Sequence, residues 1–183
     1  LKHIETIDTK FSWCNAMRRF KAEPKQHILV AGFLYEEDLG LGERMDLHPQ
    51  KSAQIQKGEN VKKHGMIECI NVENHGEVLW QFDTFSDHTG IPQQIDPCGI
   101  CNVNINGSKL LAVADNNGSQ KRVLIISGAD GQYKSTLLTD EQLPGCSGIW
   151  DIRYIESHQH LVLRYDKFTS TDHVAIFKIR QNH

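Results

Sequence analysis

The chain has 183 residues, 39% of them hydrophobic and 23% charged, with a formal net charge of −3. That length supports one domain with a real core, and the composition is ordinary for a globular chain. The charge gives no basic field for nucleic acid, and no apolar run is long enough to span a membrane.

The chain opens on Leu1 rather than Met, as a fragment or processed chain would, and no signal peptide is read in it. Short segments rich in Val, Ile, Leu and aromatics then alternate with clusters of Gly, Asn, Asp and Ser. This pattern predicts strands and turns, and no long segment carries a helical period. In chain order the predicted strands are LKHIETIDT from Leu1, SWCNAMRRF from Ser12, HILVAGFLY from His27, GMIECINVE from Gly65 and GEVLWQFDT from Gly76. GICNVNING from Gly99, KLLAVADNN from Lys109, KRVLIISGA from Lys121 and GQYKSTLLT from Gly131 follow. GIWDIRYIE from Gly148, HLVLRYDKF from His160 and DHVAIFKIR from Asp172 complete the series. Turns are expected at Asn74-His75-Gly76, Asn106-Gly107 and Asn116-Asn117-Gly118. The Asn-Gly-Ser sequons at Asn106 and Asn117 are explained by the same turn chemistry, without glycosylation.

These strands repeat. SWCNAMRRF, GICNVNING and GIWDIRYIE share one pattern: a small residue, an apolar residue, Cys or Trp, then Asn or Asp. Each is followed by a second and a third strand of like character. In the first two copies a fourth follows, and LKHIETIDT resembles that fourth strand. The aligned Cys101 and Trp150 are 49 positions apart, close to a propeller-blade period of roughly 40–50 residues. The first copy is longer, because residues 36–64 are inserted between its second and third strands. The insertion starts acidic (Glu36, Glu37, Asp38, Glu43, Asp46) and ends basic (Lys51, Lys57, Lys62, Lys63). It is too polar to build a core, so it reads as a surface loop or as a partner-docking loop. In the docking reading, Glu36, Glu37, Asp38, Lys57, Lys62 and Lys63 are the partner-binding residues.

Over nearly its whole length the chain resembles the WD-repeat β-propeller family. It departs from the family motifs: no Gly-His pair precedes each unit, and the third strands carry Cys69-Ile70, Ile125-Ile126 and Phe177-Lys178 where Trp-Asp is usual. The Trp150-Asp151 pair lies in a different strand, so the periodicity carries the resemblance. The resemblance implies an all-β fold of three four-stranded antiparallel blades, a partial or half propeller. It forms a single domain over 1–183, with units at about 1–75, 76–130 and 131–183. A stack of three leaves apolar end faces, since propellers use four to eight blades, so a protein partner or further blades are expected to close it. The implied function is an interaction scaffold within a multi-subunit assembly.

Two narrower likenesses exist. IDTKFSWC (Ile7 to Cys14), HILVAGFLYEED (His27 to Asp38) and KLLAVADNNGS (Lys109 to Ser119) resemble the diphthine methylesterases of diphthamide synthesis, which implies a hydrolase as the alternative. No catalytic residue carries over, because none of that family's active-site motifs is matched. GIWDIRYIESHQHLVLRYDK resembles a WD-repeat protein that works with tethering complexes in endosome recycling, which returns the scaffold reading.

No residue pattern demands chemistry. The five cysteines, Cys14, Cys69, Cys98, Cys101 and Cys146, are odd in number and irregular in spacing. That points to a reducing, cytoplasmic compartment rather than a disulfide framework. Cys98 and Cys101 form a Cys-x-x-Cys pair, but zinc needs two further ligands and a redox pair should precede a helix. Repetition explains the pair: Cys101 takes the slot of Cys14 and Trp150, and Cys98 precedes its strand at nearly the place that Cys146 holds before the third copy. His158-Gln159-His160 reads as an exposed turn. Ser86-Asp87-His88 has the residue types of a hydrolase triad, but adjacent residues cannot converge as a triad does, so it reads as a surface connection. Asp38-Leu39-Gly40-Leu41-Gly42 lacks the strand-turn-helix setting of a dinucleotide loop. No cofactor, metal or nucleic-acid partner is expected.

Overall fold

The computed structural model describes residues 13–22, 25–35, 63–71, 77–87, 89–117, 120–167 and 172–179. Their regular elements are strands, with short 3-10 turns at Asp140–Gln142 and Glu156–His158. The fold is all-β, built from antiparallel sheets.

The first sheet joins β1 (Trp13–Ala22), β2 (Lys25–Tyr35), β3 (Lys63–Asn71) and β4 (Glu77–Phe82) in chain order. A small hairpin follows, of β5 (Thr84–Ser86) and β6 (Pro92–Gln94). The second sheet joins β7 (Pro97–Ile105), β8 (Ser108–Asp115), β9 (Arg122–Ser127) and β10 (Tyr133–Leu138). The third holds β11 (Cys146–Ile155), β12 (His160–Lys167) and β13 (Asp172–Lys178). Neighbours in sequence are neighbours in each sheet, and outside the long 36–62 connection between β2 and β3 the links within sheets are short. Asn106 and Gly107, with φ of 52° and 78°, close the β7–β8 turn in the left-handed conformation that Asn-Gly favours.

The middle sheet is covered on both faces. Along β8 and β9 the apolar side chains divide by parity. Ala112, Ala114, Val123 and Ile125 join a core with Ile149, Ile152, Leu161 and Leu163 of the third sheet. Leu111, Val113, Leu124 and Ile126 join a second core with Ile67, Cys69 and Phe82 of the first sheet and Phe85 of the hairpin. Two buried faces explain why LLAVA and VLII read as unbroken apolar runs. The third sheet differs: β12 alternates, with Leu161 and Leu163 fully buried and Arg164 exposed. That is the signature of a sheet with one face on the core. β7 lies between β1 and β11, so the leading strands of the three sheets run side by side.

The structure departs from the expectation in three places. Among the described residues the third sheet has three strands, not four. The stretch read as a plain connection around Ser86 contains the β5–β6 hairpin, whose Phe85 is buried. Cys98 lies within β7 rather than ahead of it.

Candidate functional site

The outward face of the third sheet is the most distinctive surface among the described residues. Side chains alternate across a strand, so pairing register places Ile155, His160 and Lys178 in one row of that face. Arg153, Val162 and Ile176 form the next row, and Asp151, Arg164 and Val174 the third. Asp166 lies beyond them on β12. Val174 is 65% exposed, Ile176 63% and Ile155 43%. Trp150 is 56% exposed at the bulge where β11 shifts register between Ile149 and Asp151. Arg153 Nε donates to Asp151 Oδ2 at 3.0 Å. Exposed apolar side chains on the flanking strands β11 and β13, among mixed charges, are the make-up of an interaction surface.

A second cluster sits where the β8–β9 connection meets the β5–β6 hairpin. Asp115 closes β8 and Arg122 opens β9, facing one another in register. Arg122 Nε donates to Asp115 Oδ2 at 2.6 Å, while the Asp96 and Asn117 backbone amides donate to Oδ1 at 2.6 and 3.2 Å. The guanidinium also donates to the Gln93 side-chain carbonyl, to Gln120 Oε1 at 3.1 Å and to the Gln94 carbonyl at 3.2 Å. Its Cζ lies 4.7 Å from the Phe85 ring centroid. Burial pushes the Asp115 carboxyl up, and the Asp96 amide and Arg122 oppose it. An open cleft of about 600 Å³ adjoins this cluster, lined by Thr84, Pro92, Gln93, Gln94, Asn117 and Gln120. The arrangement ties the hairpin to the middle sheet; it presents amides, not a nucleophile with a base. A trace of it is legible in the sequence, because Asp115 and Asp166 hold the same slot in the second and third copies.

Among the described cysteines, Cys69, Cys101 and Cys146 are buried and Cys98 is half-buried. Cys69, Cys98, Cys101 and Cys146 are free thiols. Burial pushes the Cys69 thiol up to about 11 and raises Cys98 further, and Cys146 is also raised, chiefly by burial. Cys98 Sγ donates to the Ala114 carbonyl at 3.3 Å. High thiol pKa values are the opposite of what a reactive pair needs.

Asp87 accepts from the Thr89 amide at 2.8 Å, the Thr89 hydroxyl at 2.5 Å and Gln93 Nε2 at 2.7 Å, so it organises the β5–β6 turn. His88 lies outside the described residues. Ser157 Oγ and His158 Nδ1 are 2.8 Å apart, and the His158 and His160 rings stack at 5.7 Å. His158 ends a 3-10 turn and His160 starts β12, so this stretch is more ordered than a plain turn. Among the described residues no three His, Cys, Asp or Glu side chains gather as a metal-holding group. No helix among them is long and apolar enough to cross a membrane. Glu36, Glu37, Asp38, Lys57 and Lys62, and the Asp38–Gly42 stretch, lie outside the described residues. Lys63 begins β3, paired with Tyr35, so the backbone rejoins the sheet there.

No family model matches the chain, and no curated protein or solved structure is significantly similar to it.

Proposed function

We propose that the chain is an interaction scaffold of the WD-repeat β-propeller type that binds protein partners within a multi-subunit assembly. One observation carries this reading: a terminal sheet that buries Ile149, Ile152, Leu161 and Leu163 in the core leaves Trp150, Ile155, Val174 and Ile176 exposed. Large apolar side chains exposed together with charges on one sheet are the make-up of a contact surface. The propeller type is supported by three successive meanders whose leading strands β1, β7 and β11 lie side by side. The charged insertion supplies a second docking element on this reading, through Glu36, Glu37, Asp38, Lys57, Lys62 and Lys63.

The test compares proteins captured by the wild-type chain, by a Val174→Asp/Ile176→Asp variant and by a chain lacking residues 37–62. Thermal melts establish that each is folded. Loss of specific partners from either variant supports the scaffold. If both variants retain everything the wild type captures, the reading fails. Turnover of a methyl ester by the purified chain would instead favour the diphthine methylesterase-like alternative.

A further inference from the structure

On the reading of the third sheet's outward face as a docking surface, we propose that its occupant is a second copy of this chain, packed face to face. The charge layout of the face carries the inference. A surface for a strongly acidic or strongly basic partner shows one sign. This face carries both, unevenly along the strands: Arg153 and Lys178 stand toward one end, while Asp151 and Asp166, with Arg164 beside Asp151, stand toward the other. Such a face complements itself when the second copy runs antiparallel.

The register makes this specific. A two-fold axis lies in the plane between the sheets, perpendicular to the strands. It passes between the Arg153–Val162–Ile176 row and the Asp151–Arg164–Val174 row. Each strand then faces its own counterpart. Ile176 lies over Val174 of the second copy, and Arg153 lies over Asp151. Val162 meets the aliphatic stem of Arg164, and His160 stands over Asp166. Every contact occurs twice, as a two-fold interface requires. The existing Asp151–Arg153 pair at 3.0 Å becomes half of an alternating four-charge network. The two most exposed apolar residues of the sheet, Val174 and Ile176, leave water together. Aligned sheets at a spacing of about 10 Å accommodate side chains of this size.

Sedimentation velocity of the 183-residue chain over a range of concentrations tests the inference. The expected result is a species of twice the 20.8 kDa chain mass. Arg153→Asp or Asp151→Arg alone places like charges opposite one another twice, and weakens self-association on the order of a hundredfold. The exchanged variant Asp151→Arg/Arg153→Asp restores opposite signs across the axis and recovers association. Ile176→Asp abolishes it with the melting curve retained. A chain that stays monomeric at high concentration overturns the inference, as does a dimer indifferent to these substitutions. The scaffold reading is judged separately. If the chain is monomeric but Val174→Asp/Ile176→Asp loses captured partners, the face docks another protein and only self-pairing is wrong.

Discussion

Asp115 and Arg122 lie 2.6 Å apart at facing ends of β8 and β9, with side chains 0% and 7% exposed. Asp115 accepts two backbone amides as well, and Arg122 reaches three groups of the β5–β6 hairpin and its surroundings. A buried pair whose partner is deleted leaves an uncompensated charge. Arg122→Met is therefore expected to destabilise the chain by about 3–5 kcal/mol. Asp115→Leu combined with Arg122→Met should cost well under the sum of the single changes. Urea unfolding of the four members of the cycle measures both; strict additivity would mean the two residues act independently.

Asn116 joins the middle and third sheets by one side chain. Its Nδ2 donates to the Ile149 carbonyl and its Oδ1 accepts the Ile149 amide, each at 2.9 Å. Ile149 is fully buried, so water cannot readily replace these bonds. Asn116→Ala should cost about 2–4 kcal/mol, with both backbone groups left unpaired. Hydrogen exchange at the Ile149 amide should quicken in this variant more than at the Leu124 amide. Unchanged protection at Ile149 would show that the bridge is dispensable.

Gly65 lies where the first sheet meets the chain entering the second. It bridges to Ile95, and a Cβ there would sit 2.6 Å from Pro97 Cδ and clash with the Ile95 carbonyl. The obstruction is backbone and a rigid ring, so neither can swing aside. Gly65→Ala is expected to lower stability by about 3 kcal/mol, in the range of overpacked cores. A thermal melt tests this, and a variant as stable as wild type would show that the junction can open.

The buried Cys69 thiol makes stability depend on alkaline pH. Its folded value is raised from 9.0 to about 11. The unfolded chain therefore loses this proton first, so the contribution is intact below pH 9 and is lost as pH rises toward 11. Over that window the linkage is worth roughly 2 kcal/mol. Wild type should lose about that much more stability than Cys69→Ala between pH 8.5 and 11, by chemical denaturation at each pH. Parallel curves for the two proteins would refute it.

Local rules made much of this fold legible. Asn106-Gly107 marked a turn because few residues accept positive φ, and the structure places both there. The strands from Gly99, Lys109, Lys121 and Gly131 coincide with β7 to β10, because apolar segments between turn residues have few other conformations. The hairpin at Thr84–Gln94 was not legible. Its strands are three residues each, too short to show a period, and Asp87 builds its turn through side-chain bonds that no simple motif encodes.

What the sequence determined by itself was the strand-and-turn rhythm and its repetition. These follow from backbone sterics and hydrophobic period, which act over a few residues. Only the tertiary structure decided which sheet lies in the middle, that Arg122 meets Asp115, and that Val174 and Ile176 stand uncovered on the same face as Asp151 and Arg153, across β12. Those outcomes depend on register between strands and on which sheet packs against which. Alternation along β13 is the same whether or not another surface covers it, so only the packed assembly of sheets shows the face to be open.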